Sequence, residues 1–233
     1  MQQHSTIDTI RIIHVLPFVA GHHLDYGLGE ELPLFAPSTA DTLVHGVGYN
    51  SADRRRMLGL PVHEATGRPH SKWKDMLTRC YKAGASAYAG CTVCKKWHDF
   101  QEFADWFVSQ PYSNAPDVEL DKDILDPLNR IYSPELCSLV PRLVNQMFRN
   151  TRRQRGKLPI CIKEGPRGKG FTARISKYGK QVHLGTFSDI FSAFEAYQAA
   201  YSAYCSEVAD EYEGKVDPRV IERLRTCSRN IRD

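Results

Sequence analysis

The chain has 233 residues, 42% apolar and 25% charged, with a net charge of +4. That length holds one large domain or two small ones, and the composition excludes a chain disordered throughout. Seven cysteines in no regular framework argue against a secreted disulfide scaffold. No apolar run approaches the roughly 20 residues of a membrane helix. The nearest, residues 10–20 (IRIIHVLPFVA), carries Arg11 and His14 and reads as a buried strand, so a cytoplasmic address is expected.

The mild net charge hides an uneven distribution. Residues 149–180 hold eleven Lys/Arg against one acid, Glu164, while residues 99–126 and 207–213 are acidic. A local excess of that kind is what a phosphate backbone attracts.

In chain order, residues 1–69 read as an irregular N-terminal region with a few short strands, punctuated by Gly21, Pro33, Pro37, Gly46 and Gly48. Arg54, Arg55 and Arg56 form a basic knot, either solvated surface or a phosphate contact. From His70, Trp73, Met76, Leu77, Cys80 and Tyr81 recur at the spacing of one helical face. Phe100, Phe103, Trp106 and Phe107 predict a second helix with its aromatics in the core. A short strand is expected at 120–124, a turn at Asp126-Pro127 and a second strand near Ile131-Tyr132. Pro134 then opens a helix that Leu139, Leu143, Gln146 and Met147 continue. The order is strand, turn, strand, helix, with a boundary near Gly156.

The next unit reads as three strands and a helix. Residues 158–163 form one strand, and Phe171–Ile175 and Gln181–Leu184 alternate apolar and polar residues around a tight turn at Tyr178-Gly179. Ser188 caps a helix whose stripe is Phe191, Phe194, Tyr197 or Gln198, Tyr201, Tyr204 and Val208, packed on one sheet face. Asp217-Pro218 starts a last, partly basic helix. If Phe171, Ala173, Ile175, Val182 and Leu184 face the helix, then Thr172, Arg174, Gln181 and His183 face out. Such a face suits a major groove, where Arg pairs with guanine and Gln with adenine. Arg149, Arg152, Arg153, Arg155, Lys163, Lys177 and Lys180 would add phosphate contacts.

A small metal-dependent nuclease needs one or two oxygen ligands for a hard divalent ion, a group that activates water, and a ligand on the following helix. Asp121 is placed to be the first ligand and Asn145 the second, with Asp123 either a further ligand or a neighbour. Separately, Cys91-x-x-Cys94 with His98, Cys80 and Cys137 suits zinc. Buried free thiols are the favoured alternative.

The stretch from Lys72 to Asn145 resembles the phage HNH endonucleases, especially the homing-type members. The matching residues are Trp73–Tyr81, Cys91-Thr-Val-Cys94-Lys-Lys-Trp97, Leu120-Asp121-Lys122-Asp123, Tyr132-Ser133-Pro134-Glu135 with Cys137, and Asn145; His45–Asn50 is similar as well. Residues 158–212 are similar to the AP2-like DNA-binding domain, through Gly170–Ile175, Lys177–Lys180 and His183–Phe187. The resemblance implies an α+β chain. A ββα-metal HNH-like core would span 70–150, a basic linker 151–157, the AP2-like unit 158–212 and a C-terminal helix 213–233. It implies a DNA endonuclease that hydrolyses phosphodiesters with Mg²⁺ or Mn²⁺ and acts on double-stranded DNA in a phage-infected bacterial host. Asp121 and Asn145 take the family's metal-ligand positions, and Lys122 stands where the family keeps its water-activating histidine. Leu136 replaces an asparagine that many members carry. These departures leave a catalytically silent DNA-binding protein of the same architecture as the rival reading. A zinc-stabilised interaction domain is a second rival.

Overall fold

The computed structural model describes residues 32–84, 88–149, 158–165 and 168–231. The strand expected at residues 10–20 and the linker arginines Arg152, Arg153 and Arg155 lie outside them. Among the described residues the fold is mixed α+β, with three small sheets between helices.

Two helices frame the first core. After the short α1 (Ala52–Met57), α2 (Gly67–Tyr81) buries Trp73, Met76 and Leu77, the residues whose spacing predicts it. Further on, α3 (Phe100–Ser109) begins at Asp99, whose carboxylate accepts the Gln101 N–H and so caps a free backbone donor. The same carboxylate takes the Ser51 N–H and hydroxyl, at 3.1 and 2.5 Å, tying α1 to α3. Between the helices run β1 (Thr92–Val93) and a 3-10 turn, Lys95–His98. Trp97 sits on that turn, with ring centroids 5.1 Å from Phe103 and 4.6 Å from Trp106. Tilted and edge-on rings at these distances are favourable beyond their burial. Gly48 lets its loop rest on α2, because a Cβ there would lie 2.3 Å from the Leu77 side chain.

The middle of the chain departs from the order read in the sequence. β2 (Val118–Asp121) pairs antiparallel not with residues 131–132 but with β4 (Ser138–Pro141). β3 (Ile131–Tyr132) pairs in parallel with β1. Residues 134–136 form a turn, with the Leu136 and Cys137 N–H groups both donating to the Ser133 carbonyl. The helix starts only at Arg142, as α4 (Arg142–Phe148). The reason is burial on two sides. All four residues of β4 are buried, so the segment loses the alternation that marks a half-buried strand, and Leu139 and Leu143 then mimic a helical spacing.

That ribbon divides two hydrophobic cores of the described residues. Val118, Leu120 and Leu139 join the aromatic core of α2 and α3. Val140 instead joins Val144 and Met147 of α4 in a second core, together with the C-terminal unit. There β5 (Ile162–Glu164), β6 (Phe171–Lys177) and β7 (Lys180–Phe187) make an antiparallel sheet, backed by α5 (Ile190–Tyr212) and then α6 (Pro218–Arg225). Tyr178 and Gly179 both take positive φ, the geometry of a two-residue hairpin turn that matches strand twist. The first strand is shorter than expected, and α5 is capped by Asp189 rather than Ser188. Asp217 caps α6 with Pro218 at its first turn, as the sequence indicates.

Candidate metal site and nucleic-acid face

Asp121 ends β2, and its Oδ1 accepts the backbone N–H groups of Asp123 and Ile124, each at 2.7 Å. Burial pushes its pKa above the usual carboxylate range, while those two N–H groups pull the other way. Directly paired residues of antiparallel strands project to the same side, so Asp121 shares its face with Ser138, its partner on β4. Glu119 and Val140 are the next pair on that face. Because Val140 packs with Val144 and Met147, α4 lies over the face that presents Asp121. The chain thus has two antiparallel strands with a helix across the face bearing the carboxylate. Asn145 sits on this helix, partly exposed, and its amide takes no hydrogen bond among the described residues.

Ser138 is only 1% exposed, and its hydroxyl has no hydrogen-bond partner among the described residues. Leaving a buried hydroxyl unpaired costs about 1–3 kcal/mol, so such a group calls for an explanation. Carboxylate, hydroxyl and amide oxygens are the hard donors that Mg²⁺ and Mn²⁺ prefer. In residue type, Asp121, Ser138 and Asn145 therefore suit the ion that the sequence suggests.

Lys122 points elsewhere. It is 6% exposed, and its Nζ donates to Asp123 Oδ1 and, at 3.1 Å, to the Asn129 carbonyl, with the Tyr132 ring centroid 5.9 Å away. Asn129 answers with Nδ2 donating to the Lys122 and Ile131 carbonyls, both at 2.8 Å, while its Oδ1 accepts the Ile131 N–H. These bonds close the loop between β2 and β3, so this geometry makes Lys122 a brace. Asp123 does not share a strand face with Asp121, because β2 ends at Asp121, and its Oδ1 is engaged by Lys122.

The cysteine reading fares differently. Cys91 and Cys137 are buried, and burial pushes the Cys137 thiol well up and the Cys80 thiol to about 11. His98 Nε2 lies 3.2 Å from the Val93 carbonyl and 3.4 Å from Tyr81 Oη. Among the described residues no three His, Cys, Asp or Glu side chains stand together as metal ligands, so Cys91, Cys94 and His98 are not assembled into a zinc site. The Arg54–Arg56 knot is occupied too. Arg54 pairs with Asp41, Arg55 with Glu102 and Asp105, and Arg56 with Asp53 and Glu64.

The three-stranded sheet presents its outer face in rows. Lys163, Thr172 and Thr186 are in register across the three strands. Past a bulge after Ala173 come Arg174 opposite His183, then Ser176 opposite Gln181. Lys163, Arg174, Gln181 and His183 are exposed. Two expectations need correction. Thr172 lies on the outer row but is only 6% exposed, flanked by Lys163 and Thr186, with its hydroxyl 3.4 Å from that of Thr186. Val182 belongs to the inner row with Ile175, yet it is 41% exposed. Lys177 also falls on the inner side, where its Nζ bonds Glu207 at 2.9 Å beside the Tyr204 ring. Lys180 is exposed at the hairpin and Arg149 at the end of α4.

Sequence reasoning missed the bonds that join the two candidate regions. Tyr201 of α5 donates its hydroxyl to the Met147 carbonyl at the end of α4, at 2.8 Å, and Arg229 donates to the same carbonyl. From α6, Arg219 donates to the Glu135 carbonyl at 2.6 Å and Arg223 to the Ile124 carbonyl at 3.0 Å. The basic character of α6 was visible in the sequence. Its targets were not, because backbone carbonyls leave no trace in composition. No family model, curated protein or solved structure matches the chain.

Proposed function

We propose that this protein binds double-stranded DNA through the outer face of β5, β6 and β7, and cuts it as a metal-dependent endonuclease at the β2–β4–α4 site. The observation that carries the binding is the composition of that face. Its rows hold Lys163, Thr172, Thr186, Arg174, His183, Ser176 and Gln181, and no carboxylate. Three strands about 4.8 Å apart make a face about 10 Å across, a match for a major groove about 12 Å wide. Arg174 and Gln181 are the side chains suited to reading base edges, with Lys163, Lys180 and Arg149 set for phosphates.

Cleavage is supported by Asp121 and the unpaired Ser138 hydroxyl on the face that α4 crosses, together with the likeness to phage HNH endonucleases. Asp121 and Asn145 would hold the ion. When bound, the ion would polarise the phosphoryl group and stabilise the charge on the departing oxygen. The chain's own contribution is to fix Asp121 through two backbone N–H bonds and to brace the neighbouring loop with Lys122 and Asn129.

The second reading, a DNA-binding protein that does not cut, is favoured by one observation: Lys122, in the family's histidine position, is turned inward and hydrogen-bonded. Gel retardation across a salt series tests the binding common to both. Affinity should fall steeply with salt, with a shallower slope for Lys163→Ala and Lys180→Ala, and Arg174→Ala should relax sequence preference. Affinity indifferent to all three changes would remove the sheet from the interface.

A further inference from the structure

We propose that Ser138 is a ligand of the divalent ion, completing with Asp121 a site that the sequence alone assigns to Asp121 and Asn145. This rests on the endonuclease reading above and adds to it a residue from the second strand.

Asp121 and Ser138 are direct partners across β2 and β4, which places their Cβ atoms about 4.5–5.5 Å apart on one face. A cation with oxygen ligands at about 2.1–2.4 Å bridges two short side chains at that separation. Each side chain has capacity to spare. Asp121 commits Oδ1 to two backbone N–H groups, and no hydrogen bond to its Oδ2 is made among the described residues. The Ser138 hydroxyl, 1% exposed, has no hydrogen-bond partner among the described residues.

A serine kept solely for packing at such a site would be better replaced by alanine, since a buried hydroxyl without a partner is a liability. Its neighbours show no other use for it. The adjacent Leu139 and Val140 pack into the two cores, and Cys137 points into the aromatic core with Leu120. The chemistry of the pair selects the ligand. A carboxylate and an alcohol oxygen form a hard set suited to Mg²⁺ or Mn²⁺ and poorly suited to softer thiophilic ions.

The test is Mn²⁺ binding to the full chain by titration calorimetry, with thermal melting in EDTA and in excess Mn²⁺, for wild type, Ser138→Ala, Ser138→Thr and Asp121→Asn. Ser138→Ala is expected to weaken Mn²⁺ binding by about 10- to 100-fold and to lose most of the metal-induced rise in Tm. In EDTA its Tm should equal or exceed that of wild type. Ser138→Thr, which keeps the hydroxyl, should retain the metal-induced rise. If Ser138→Ala binds Mn²⁺ as wild type does while Asp121→Asn does not, the Ser138 assignment is wrong and the Asp121 site stands. A Ser138→Ala variant destabilised in EDTA would make the hydroxyl structural and also overturn the proposal. If wild type binds no Mn²⁺, both the ligand assignment and the metal-dependent reading fall, and DNA binding by the sheet is left to its own test.

Discussion

The β2–β4 ribbon and the C-terminal sheet are both small antiparallel structures, yet they treat polar side chains in opposite ways. The ribbon is enclosed between two hydrophobic cores, so each of its polar groups needs a buried partner. Just past β2, Lys122 is held by Asp123 and Asn129; Asp121 is held by two backbone N–H groups, and Ser138 by no partner among the described residues. The sheet has one face on α5 and one open. On the open face Arg174, Gln181 and His183 are exposed to solvent. Enclosure suits chemistry on one phosphodiester; an open row of donors suits a long polyanion. The unpaired hydroxyl in the enclosed region is therefore the more telling anomaly, because exposed polar groups have water.

Four changes would break or sharpen this contrast. The largest effect belongs to Asp121→Asn, expected to lower cleavage on the order of 10³-fold with DNA affinity unchanged, measured on supercoiled substrate and by gel retardation. The same variant should be more stable than wild type at neutral pH without metal. The sign follows from burial: Asp121 holds its proton more tightly folded than unfolded, so ionising it costs stability. That cost appears as pH rises from the ordinary carboxylate range through the raised value, and metal affinity should strengthen over the same window. Chemical denaturation of both proteins across that range checks it.

Arg174→Ala comes next, expected to cost about 1–3 kcal/mol of DNA affinity and to relax selectivity at one base position, with cleavage of bound DNA unaltered. Competition binding against a randomised site would read both. Lys122→Met is expected to lower stability by about 2 kcal/mol, since it leaves the Asn129 carbonyl without its donor. The pH profile of cleavage should keep its shape in this variant; a lost alkaline limb would return Lys122 to the role of base. The smallest effect is Tyr201→Phe, at about 1 kcal/mol in urea unfolding, from losing the bond to the Met147 carbonyl.

The elements that the sequence made legible are those with one wet face. Trp73, Met76 and Leu77 mark α2 because the opposite face of that helix is charged, and the alternation in β6 survives because one side of the sheet is open. The ribbon's second strand was misread for the converse reason. Ser138, Leu139, Val140 and Pro141 are buried on both sides, and a segment without a polar face has no period to read. Of the candidate residues, the outward placement of Arg174, Gln181 and His183 was legible from alternation, whereas Asp121 was singled out mainly by the family resemblance. Ser138 was not, because a serine is informative only when its missing partner is seen. The burial of Thr172 and the pairing of Lys177 with Glu207 likewise depend on neighbours distant in the chain.

The most direct measurement is cleavage of supercoiled DNA with Mg²⁺ or Mn²⁺ against EDTA, for wild type, Asp121→Asn and Arg174→Ala. Metal-dependent nicked or linear product is expected from wild type, none from Asp121→Asn although it still retards DNA, and reduced product from Arg174→Ala that recovers at higher protein concentration. No product from wild type under either metal, with DNA still retarded, would contradict the endonuclease and leave a binding protein. Product that persists in Asp121→Asn would move the chemistry away from the ribbon altogether.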